Sequence, residues 1–183
     1  GLKVNAEKST FCTKEIEYLG YWVTRKGIKP LPNKIEAIME LEPPKNVKGL
    51  RRFLGIIQYY RDLWEKRSHI LAPLTDLVGE CGHNKNSKKK KRKFIWEAKH
   101  QKAFDEAKKL VCRDVMLAYP DFTKEFLIYT DASSRQLGSV IVQNNRPLAF
   151  FSRKLTNAQM NYTVTELELL CIVETLKKFR TIC

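Results

Sequence analysis

Residues 126–133 read Phe-Leu-Ile-Tyr-Thr-Asp-Ala-Ser, an apolar, β-rich run that ends in an aspartate and two small residues. This run belongs to a region with the pattern of three short strands, over 125–130, 138–143 and 147–152, which polar turns separate. From 157 to 179 the apolar residues recur at helical spacing. Consecutive strands joined by tight turns predict an antiparallel meander with a helix packed on one face, which is an α+β arrangement.

The part of the chain before this meander combines a predicted hairpin with predicted helices. Residues 15–28 hold two β-rich runs with an Arg-Lys-Gly turn at 25–27, and residues 33–39 form a short predicted helix between prolines. A longer helix is predicted from Val47, with Asn46 as its N-cap. The apolar face of this longer helix consists of Val47, Leu50, Phe53, Leu54, Ile57 and Tyr60. A further helix is predicted over 97–112.

The charge of the chain indicates the chemistry of its partner. The 183 residues include 34 Lys and Arg against 20 Asp and Glu, which gives a formal net charge of +14. Residues 84–93 (NKNSKKKKRK) form a predicted solvated loop, either a tolerated insertion or a signal for nucleic-acid binding or nuclear import. Without this loop the net charge would still be +7, which favours nucleic acid as the partner. No apolar run approaches the roughly 20 residues of a membrane-spanning helix, so no membrane partner is expected.

Two carboxylates are the candidates for chemistry, because phosphate-binding glycine loops and nucleophile motifs are absent from the sequence. Asp131 follows an apolar strand, and Glu168 lies in a helical stretch where Leu169, Leu170 and Ile172 are predicted to be buried. Acids held by a strand and a helix suit Mg²⁺, which prefers oxygen ligands and assists phosphodiester chemistry. The alternative is that Asp131 only begins a turn and Glu168 is a solvated helical residue.

Together these stretches resemble the polyproteins of gypsy-class LTR retrotransposons, and the resemblance covers essentially the whole chain. Each stretch alone is loose, and their common order and spacing make the resemblance specific. The stretches that carry it are YLGYWVTRKGI (18–28), LRRFLGIIQYYRDL (50–63), APLTDL (72–77), FIW (94–96), AFDEAKKLV (103–111), YPDF (119–122), FLIYTDAS (126–133) and NYTVTELELLCIV (161–173).

The resemblance implies a helical reverse-transcriptase thumb and connection followed by an incomplete RNase H-like domain. Its implied boundaries are 1–29 for the end of the polymerase palm with a primer-grip-like hairpin, 30–78 for the thumb, 79–123 for the connection with the basic loop 84–93, and 124–183 for the N-terminal part of the RNase H-like domain. The polymerase aspartates would lie upstream of this chain and further RNase H ligands downstream, so we expect a fragment of a longer Pol polyprotein.

The resemblance also implies which residues hold nucleic acid. The hairpin resembles the primer grip, which positions the 3′ end of the primer, and the helix from Val47 resembles the thumb helix that follows the minor groove of the template-primer duplex by its shape. The alternatives are an ordinary hairpin and a Tyr59 that is part of the core. The implied nucleic-acid-binding residues are Tyr18, Gly20, Tyr21, Arg51, Gly55 and Tyr59.

In the RNase H-like part, Asp131 and Glu168 match the first two carboxylates of a two-metal Mg²⁺ site that cuts the RNA strand of an RNA–DNA hybrid. Glu166 would point elsewhere, and Gln136 stands where the family usually has glycine, which puts the turn before it in doubt. We expect the parent protein to be an enzyme and this chain alone to be inactive. The alternatives are a catalytically dead nucleic-acid-binding remnant and a pseudogene product. Five cysteines without a CxxC pair predict free thiols in an intracellular setting, either a cytoplasmic particle or the nucleus.

Overall fold

A computed structural model describes residues 3–81, 93–113 and 115–182 of the chain, and it has the predicted α+β architecture. Apart from Lys93, the basic loop predicted over 84–93 lies outside the described residues. The helices are α1 (Pro32–Met39), α2 (Val47–Tyr59), α3 (Arg67–Cys81), α4 (Ala98–Val111) and α5 (Val164–Lys178). The strands are β1 (Glu15–Tyr18), β2 (Tyr21–Thr24), β3 (Gly27–Pro30), β4 (Leu127–Ala132), β5 (Gln136–Gln143) and β6 (Arg146–Lys154). Within these ranges no helix is long and apolar enough to cross a bilayer.

The first sheet has three antiparallel strands in the order β1-β2-β3, where the sequence predicted a hairpin of two. The predicted turn after Thr24 is present, and a second turn at Leu19 and Gly20 divides the first run into β1 and β2. Both turn residues have positive φ, at 47° and 78°, as a two-residue hairpin turn requires to match the right-handed twist of its strands. The sequence did not predict this turn, because a leucine rarely adopts such a conformation.

Helices α1 to α4 enclose the larger hydrophobic core. As predicted, Asn46 caps α2, and its Oδ1 accepts a hydrogen bond of 2.8 Å from the Gly49 amide. The sequence did not single out α3, because Pro73 lies inside it and a proline normally ends a helical pattern. The largest fully buried side chains of this core are Leu50, Ile57, Leu63, Trp64, Leu74, Phe104 and Val111.

The second sheet confirms the predicted meander, with the strand order β4-β5-β6 and α5 packed on one face. The turn between β5 and β6 uses Asn144 and Asn145, both at positive φ, which asparagine tolerates. The helix does not begin at residue 157, where the sequence placed it. It begins at Val164, because the Thr163 hydroxyl and the Glu166 carboxylate form a capping box that fixes the start there.

The face of α5 that meets the sheet differs from the predicted one. The residues of α5 that are buried recur every fourth position, at Leu167, Cys171 and Thr175. Of the three apolar residues predicted to be buried, only Leu170 packs against the core, whereas Leu169 is 58% and Ile172 is 42% exposed. That prediction was wrong for these two residues because α5 is apolar on more than one side, and periodicity does not tell which side meets the sheet.

A short extended segment joins the two sheets. Leu117 forms an antiparallel bridge with Ile28 of β3, with N···O distances of 2.8 and 3.0 Å in the two directions. The next amide, of Ala118, donates to the carbonyl of Pro147 in β6 at 2.8 Å. A second connection is formed by the Ser68 amide of α3, which donates to Ser152 Oγ of β6 at 3.0 Å. The hairpin, the helical core and the second sheet therefore form one connected body.

Candidate nucleic-acid interface and carboxylate site

Three tyrosine hydroxyls fasten the β1–β2 turn to the end of α2. Tyr59 donates to the carbonyl of Leu19, and Tyr60 donates to the carbonyl of Gly20 at 3.1 Å. In return Tyr21 of β2 donates to the carbonyl of Tyr59 at 3.1 Å. Because the bonds run in both directions, the turn and the helix hold each other in a fixed relative position.

The aromatic rings of the same three tyrosines also pack against one another. The Tyr21 ring stacks on Tyr59 with 5.5 Å between centroids and meets the edge of Tyr60 at 5.4 Å. Burial, with a smaller contribution from Tyr59, raises the pKa of Tyr21 to about 12, and burial also raises the pKa of Tyr60. The hydroxyls of Tyr21 and Tyr60 therefore stay protonated at neutral pH and remain hydrogen-bond donors. A Cβ at Gly20 would lie 3.4 Å from the Tyr59 ring, at a φ of +78° that favours glycine.

The outer face of α2 presents the three predicted thumb residues. Arg51, Gly55 and Tyr59 follow one another at four-residue intervals, so they share one face, and all three are exposed. Tyr59 is 50% exposed, so the alternative that it belongs to the core is wrong. A side chain at Gly55 would meet nothing within 4 Å, so this position leaves the helix backbone open to approach. Tyr18, at the end of β1, is 61% exposed beside the same turn.

The structure also shows a groove between α1 and α2 that the sequence analysis missed. It encloses about 520 Å³, and its floor is apolar. Lys34 and Arg52 are among its lining residues, and neither forms an ion pair within the part of the chain that the structure describes. No sequence signal marks such a groove, because it arises from the packing of two helices. Its lining residues are Lys34, Ala37, Ile38, Leu41, Arg52, Gly55, Ile56, Tyr59 and Tyr60.

Asp131 is the last residue but one of β4, and its side chain is exposed. Asp131 pairs with Gly138 of β5. The neighbouring pair is Thr130 and Ser139, and the Ser139 side chain contacts Thr175 of α5, so this pair points to the face of the sheet that α5 covers. Since successive side chains of a strand point to opposite faces, the Asp131 carboxylate is on the face away from α5. There it borders a cavity of about 160 Å³, which Glu65 and Lys66 also line.

Glu168 is half-buried on α5, at the border of the face that meets the sheet. Three residues later, the buried Cys171 places its Sγ 3.2 Å from the carbonyl oxygen of Gly138 and 3.5 Å from that of Asp131. Burial raises the pKa of this thiol, so it stays protonated and donates to these carbonyls. The structure therefore brings the helical turn of Glu168 against the strand of Asp131, although Glu168 does not line the cavity that Asp131 borders.

The neighbouring polar residues have structural tasks of their own. Glu166 Oε2 accepts hydrogen bonds from the amide and the hydroxyl of Thr163, at 2.7 and 2.8 Å, and the bond from the amide is the main cause of its lowered pKa. This carboxylate is thus committed to capping α5. Gln136, in the place of the usual glycine, needs no positive φ, because the Ser133 hydroxyl accepts from the amides of Arg135 and Gln136 and closes the turn.

Asp131 and Glu168 are the two carboxylates that the sequence proposes as Mg²⁺ ligands. Carboxylate oxygens are the ligands that Mg²⁺ prefers, and this ion commonly takes one or two of them together with water and substrate phosphates. Asp131 and Glu168 match that need in type and number. Among the described residues no group of three or more His, Cys, Asp and Glu side chains is placed to hold a metal ion. Asp131 faces away from α5 and Glu168 lies on α5, so the structure does not bring the two carboxylates together at one point. They fit Mg²⁺ in type, and only in combination with further ligands.

Comparisons with known proteins show which protein families this chain is similar to. The sequence model of a family described as an RNase H-like domain found in reverse transcriptase matches residues 96–183. Retrovirus-related Pol polyproteins of the Drosophila melanogaster transposons opus and gypsy are 39% and 37% identical to 98% of the chain, which covers 18% of each relative. The Tf2-3 polyprotein of Schizosaccharomyces pombe is 31% identical to 98% of the chain, over 13% of its own length.

Solved structures show the same fold. The foamy viral protease-reverse transcriptase in complex with an RNA/DNA hybrid matches 94% of this chain and 23% of its own with a TM-score of 0.81, at 21% identity. The same enzyme in complex with double-stranded DNA matches 96% of this chain and 36% of its own, also with a TM-score of 0.81. The chain spans less than a fifth of the length of these Pol and Tf2 polyproteins. Residues 96–183 therefore match the sequence model of an RNase H-like domain found in reverse transcriptase, and the chain as a whole is similar to a segment of the Pol polyproteins of gypsy and other transposons.

Proposed function

We propose that this chain is the segment of a transposon RNA-directed DNA polymerase that holds the template-primer duplex and presents an RNA–DNA hybrid for hydrolysis of its RNA strand. The junction between the β1–β2 turn and α2 carries the proposal, because its hydrogen bonds fix the turn beside the exposed Arg51, Gly55 and Tyr59. A fixed surface of this kind suits a duplex that must be held at a constant position relative to a catalytic centre.

The properties of this surface fit a nucleic-acid backbone. Arg51 supplies a cation for a phosphate, and neutralising phosphates releases counterions from the duplex. Gly55 lets the duplex approach the helix backbone, and Tyr59 offers an aromatic ring whose hydroxyl is already bonded to the turn. In this proposal the exposed Tyr18 and the turn at Gly20 and Tyr21 contact the primer strand. These contacts read no base edges, which suits a protein that copies any sequence.

We propose that Asp131 and Glu168 hold Mg²⁺ in the longer protein. The ion would supply activation of water and stabilisation of the leaving 3′ oxygen. The two residues of this chain would orient it from the strand β4 and the helix α5, with the remaining ligands supplied by the hybrid and by the rest of the polyprotein. Support comes from the contact of Cys171 with the Asp131 carbonyl, which keeps the turn of Glu168 beside that strand.

The division into palm end (1–29), thumb (30–78), connection (79–123) and RNase H-like part (124–183) stays a proposal, as does an intracellular place of action. The family match begins at residue 96, so α4 is included in it. Support for a reducing compartment comes from the cysteines, since Cys12, Cys81, Cys112 and Cys171 are all unpaired.

The duplex-holding role predicts a specific loss of binding. Arg51→Ala and Gly55→Leu should each weaken the affinity for an RNA–DNA hybrid about tenfold, the first by loss of a phosphate contact and the second by steric exclusion. Arg51→Ala should also reduce the slope of log K against log salt concentration by about 0.9. Fluorescence anisotropy of a labelled hybrid at several salt concentrations measures both effects.

Lys109→Ala is the matched control, because Lys109 is an exposed cation on α4. Phe104 of α4 packs against Phe53 on the buried face of α2, so α4 lies away from the exposed face that carries Arg51. It removes the same charge and should leave the affinity within about twofold of wild type, because a distant exposed charge is largely screened. An equal loss in Lys109→Ala and Arg51→Ala would mean that binding depends only on net charge, and the proposed surface would be wrong.

The catalytic part of the proposal is tested in the longer Pol protein that contains this chain. Asp131→Asn keeps the shape of the side chain and removes its charge, so the rate of RNA-strand cleavage with Mg²⁺ should fall about 100-fold or more, while hybrid affinity stays unchanged. Gel analysis of end-labelled RNA in a hybrid measures the rate. Unchanged cleavage in Asp131→Asn would exclude Asp131 from the site, and binding without cleavage in the unmutated protein would favour the catalytically dead remnant.

A further inference from the structure

We infer that Cys171 is a positioning residue for the carboxylate site: its buried thiol sets the distance between the strand that carries Asp131 and the helical turn that carries Glu168. This inference rests on the proposed metal role of the two carboxylates. Neither the resemblance to retroelement polyproteins nor the spacing of the motifs points to this cysteine.

The contacts of the thiol support this role. Asp131 and Gly138 are directly opposite each other in the β4–β5 ladder, and the Cys171 Sγ lies 3.5 and 3.2 Å from their carbonyl oxygens. The thiol therefore spans both strands at the pair that includes the candidate ligand. Cys171 is completely buried, so water cannot replace its hydrogen bonds.

The small size of the Cys171 side chain contributes to this spacing in addition to the S–H donor. A cysteine is small enough for α5 to pack closely on the sheet, against Leu137 of β5 and Leu167 of its own helix. Alanine at position 171 would leave the two carbonyls without the thiol donor, and a larger residue would push α5 outward. Because Glu168 is one helical turn away, either change would move its carboxylate relative to Asp131.

The same helix provides a matched control for packing alone. Thr175 is also completely buried, one turn further along, and its Oγ1 lies 2.8 Å from Ser139 Oγ of β5 and 2.7 Å from the Cys171 carbonyl oxygen. Its side chain therefore fastens the same helix to the same sheet without a bond to Asp131 or Gly138. Thr175→Val keeps the shape of the side chain and removes these bonds.

The experiment measures Mn²⁺ affinity, with the paramagnetic resonance of free Mn²⁺ as the readout, on the longer Pol protein that contains this chain and the remaining ligands. Cys171→Ala should weaken Mn²⁺ binding about tenfold, the lower end of what loss of a residue that orients a ligand costs. Cys171→Ser keeps a donor of similar size and should stay within about threefold of wild type. Thr175→Val should lower the thermal midpoint as Cys171→Ala does and leave Mn²⁺ affinity unchanged.

The outcomes separate this inference from the proposal on which it rests. Asp131→Asn and Glu168→Gln establish the site, and if neither weakens Mn²⁺ binding, the proposed metal role itself fails. If they do weaken it, the positioning role is overturned by wild-type affinity in Cys171→Ala, by equal losses in Cys171→Ser and Cys171→Ala, or by an equal loss in Thr175→Val. Weaker binding in Cys171→Ala alone supports it.

Discussion

Replacing Gly27 with alanine is expected to lower the free energy of unfolding by about 3 kcal/mol, because the backbone at this position excludes a side chain. Gly27 has a φ of +154°, and a Cβ there would overlap the carbonyl oxygen of Leu117 and lie 3.0 Å from its carbonyl carbon. The same Leu117 carbonyl accepts the hydrogen bond from Ile28 that joins β3 to the connecting segment. Urea denaturation followed by circular dichroism measures the change.

Gly79→Ala is the control for this prediction. Gly79 lies in α3 with ordinary helical dihedrals, and a Cβ there would meet nothing within 4 Å. Alanine is the better helix former by up to about 1 kcal/mol, so this variant should be as stable as wild type or more stable. If Gly27→Ala unfolds at the same urea concentration as wild type, the bridge between Ile28 and Leu117 does not form as described.

The destabilisation by Gly27→Ala should also affect function, because Leu117 belongs to the segment that joins the two sheets. The residue after it, Ala118, bonds to Pro147 of β6, so the segment connects the sheet of β1, β2 and β3 to the sheet that carries Asp131. Separating Leu117 from β3 would loosen the position of one sheet relative to the other. In the proposed function, that relative position determines which part of a bound hybrid reaches the carboxylates.

Local sequence signals predicted the elements that depend on local interactions. Asn46 and the apolar spacing after it gave the start and the buried face of α2, since both act within one or two helical turns. The meander followed in the same way from alternating strands and from the Asn-Asn turn at 144–145. These features need no knowledge of the rest of the molecule.

Features that depend on packing between distant segments could not be predicted. Pro73 breaks the local pattern of α3, and the helix persists because Leu71, Leu74 and Leu77 are buried against the common core. Leu169 was assigned to the buried face, although the face that meets the sheet is determined by residues on β5. The groove between α1 and α2 arises from the same kind of contact.

The candidate site was predictable only in part. The pattern of an apolar strand and a helical stretch singled out Asp131 and Glu168, and their specific role came from the resemblance, because the residue types alone fit many surface carboxylates. The direction of the Asp131 side chain, away from α5, follows from the register of β4 against β5, which the sequence does not specify. Cys171 had no signal at all, because its role depends on two carbonyl groups that only the folded sheet places beside it.

Gln143→Leu is expected to cost about 3 kcal/mol of stability, because it leaves several backbone groups without partners. Gln143 ends β5 and is only 4% exposed. Its Oε1 accepts from the Asp121 amide at 2.8 Å, and its Nε2 lies 2.8 and 3.2 Å from the carbonyl oxygens of Asp121 and Lys124. One buried amide therefore fixes the segment that leads into β4, and leucine has a similar size without any of these bonds.

Gln101→Leu on α4 tests whether any glutamine would behave in this way. Its Nε2 donates to the exposed Asp105 carboxylate, and its Oε1 accepts from Nε1 of the half-buried Trp96. Water can replace Gln101 in both hydrogen bonds, so the loss of folding free energy should stay below about 1 kcal/mol. Hydrogen exchange separates the two cases further, since Gln143→Leu should speed exchange at the Asp121 amide, which depends on the Gln143 bond, and Gln101→Leu should not. Equal stability of the two variants, with the Asp121 amide still protected in Gln143→Leu, would mean that the segment before β4 is held by its own backbone. In that case the position of the strand that carries Asp131 would depend on the ladder with β5 and on the packing of β4 in the core of this sheet.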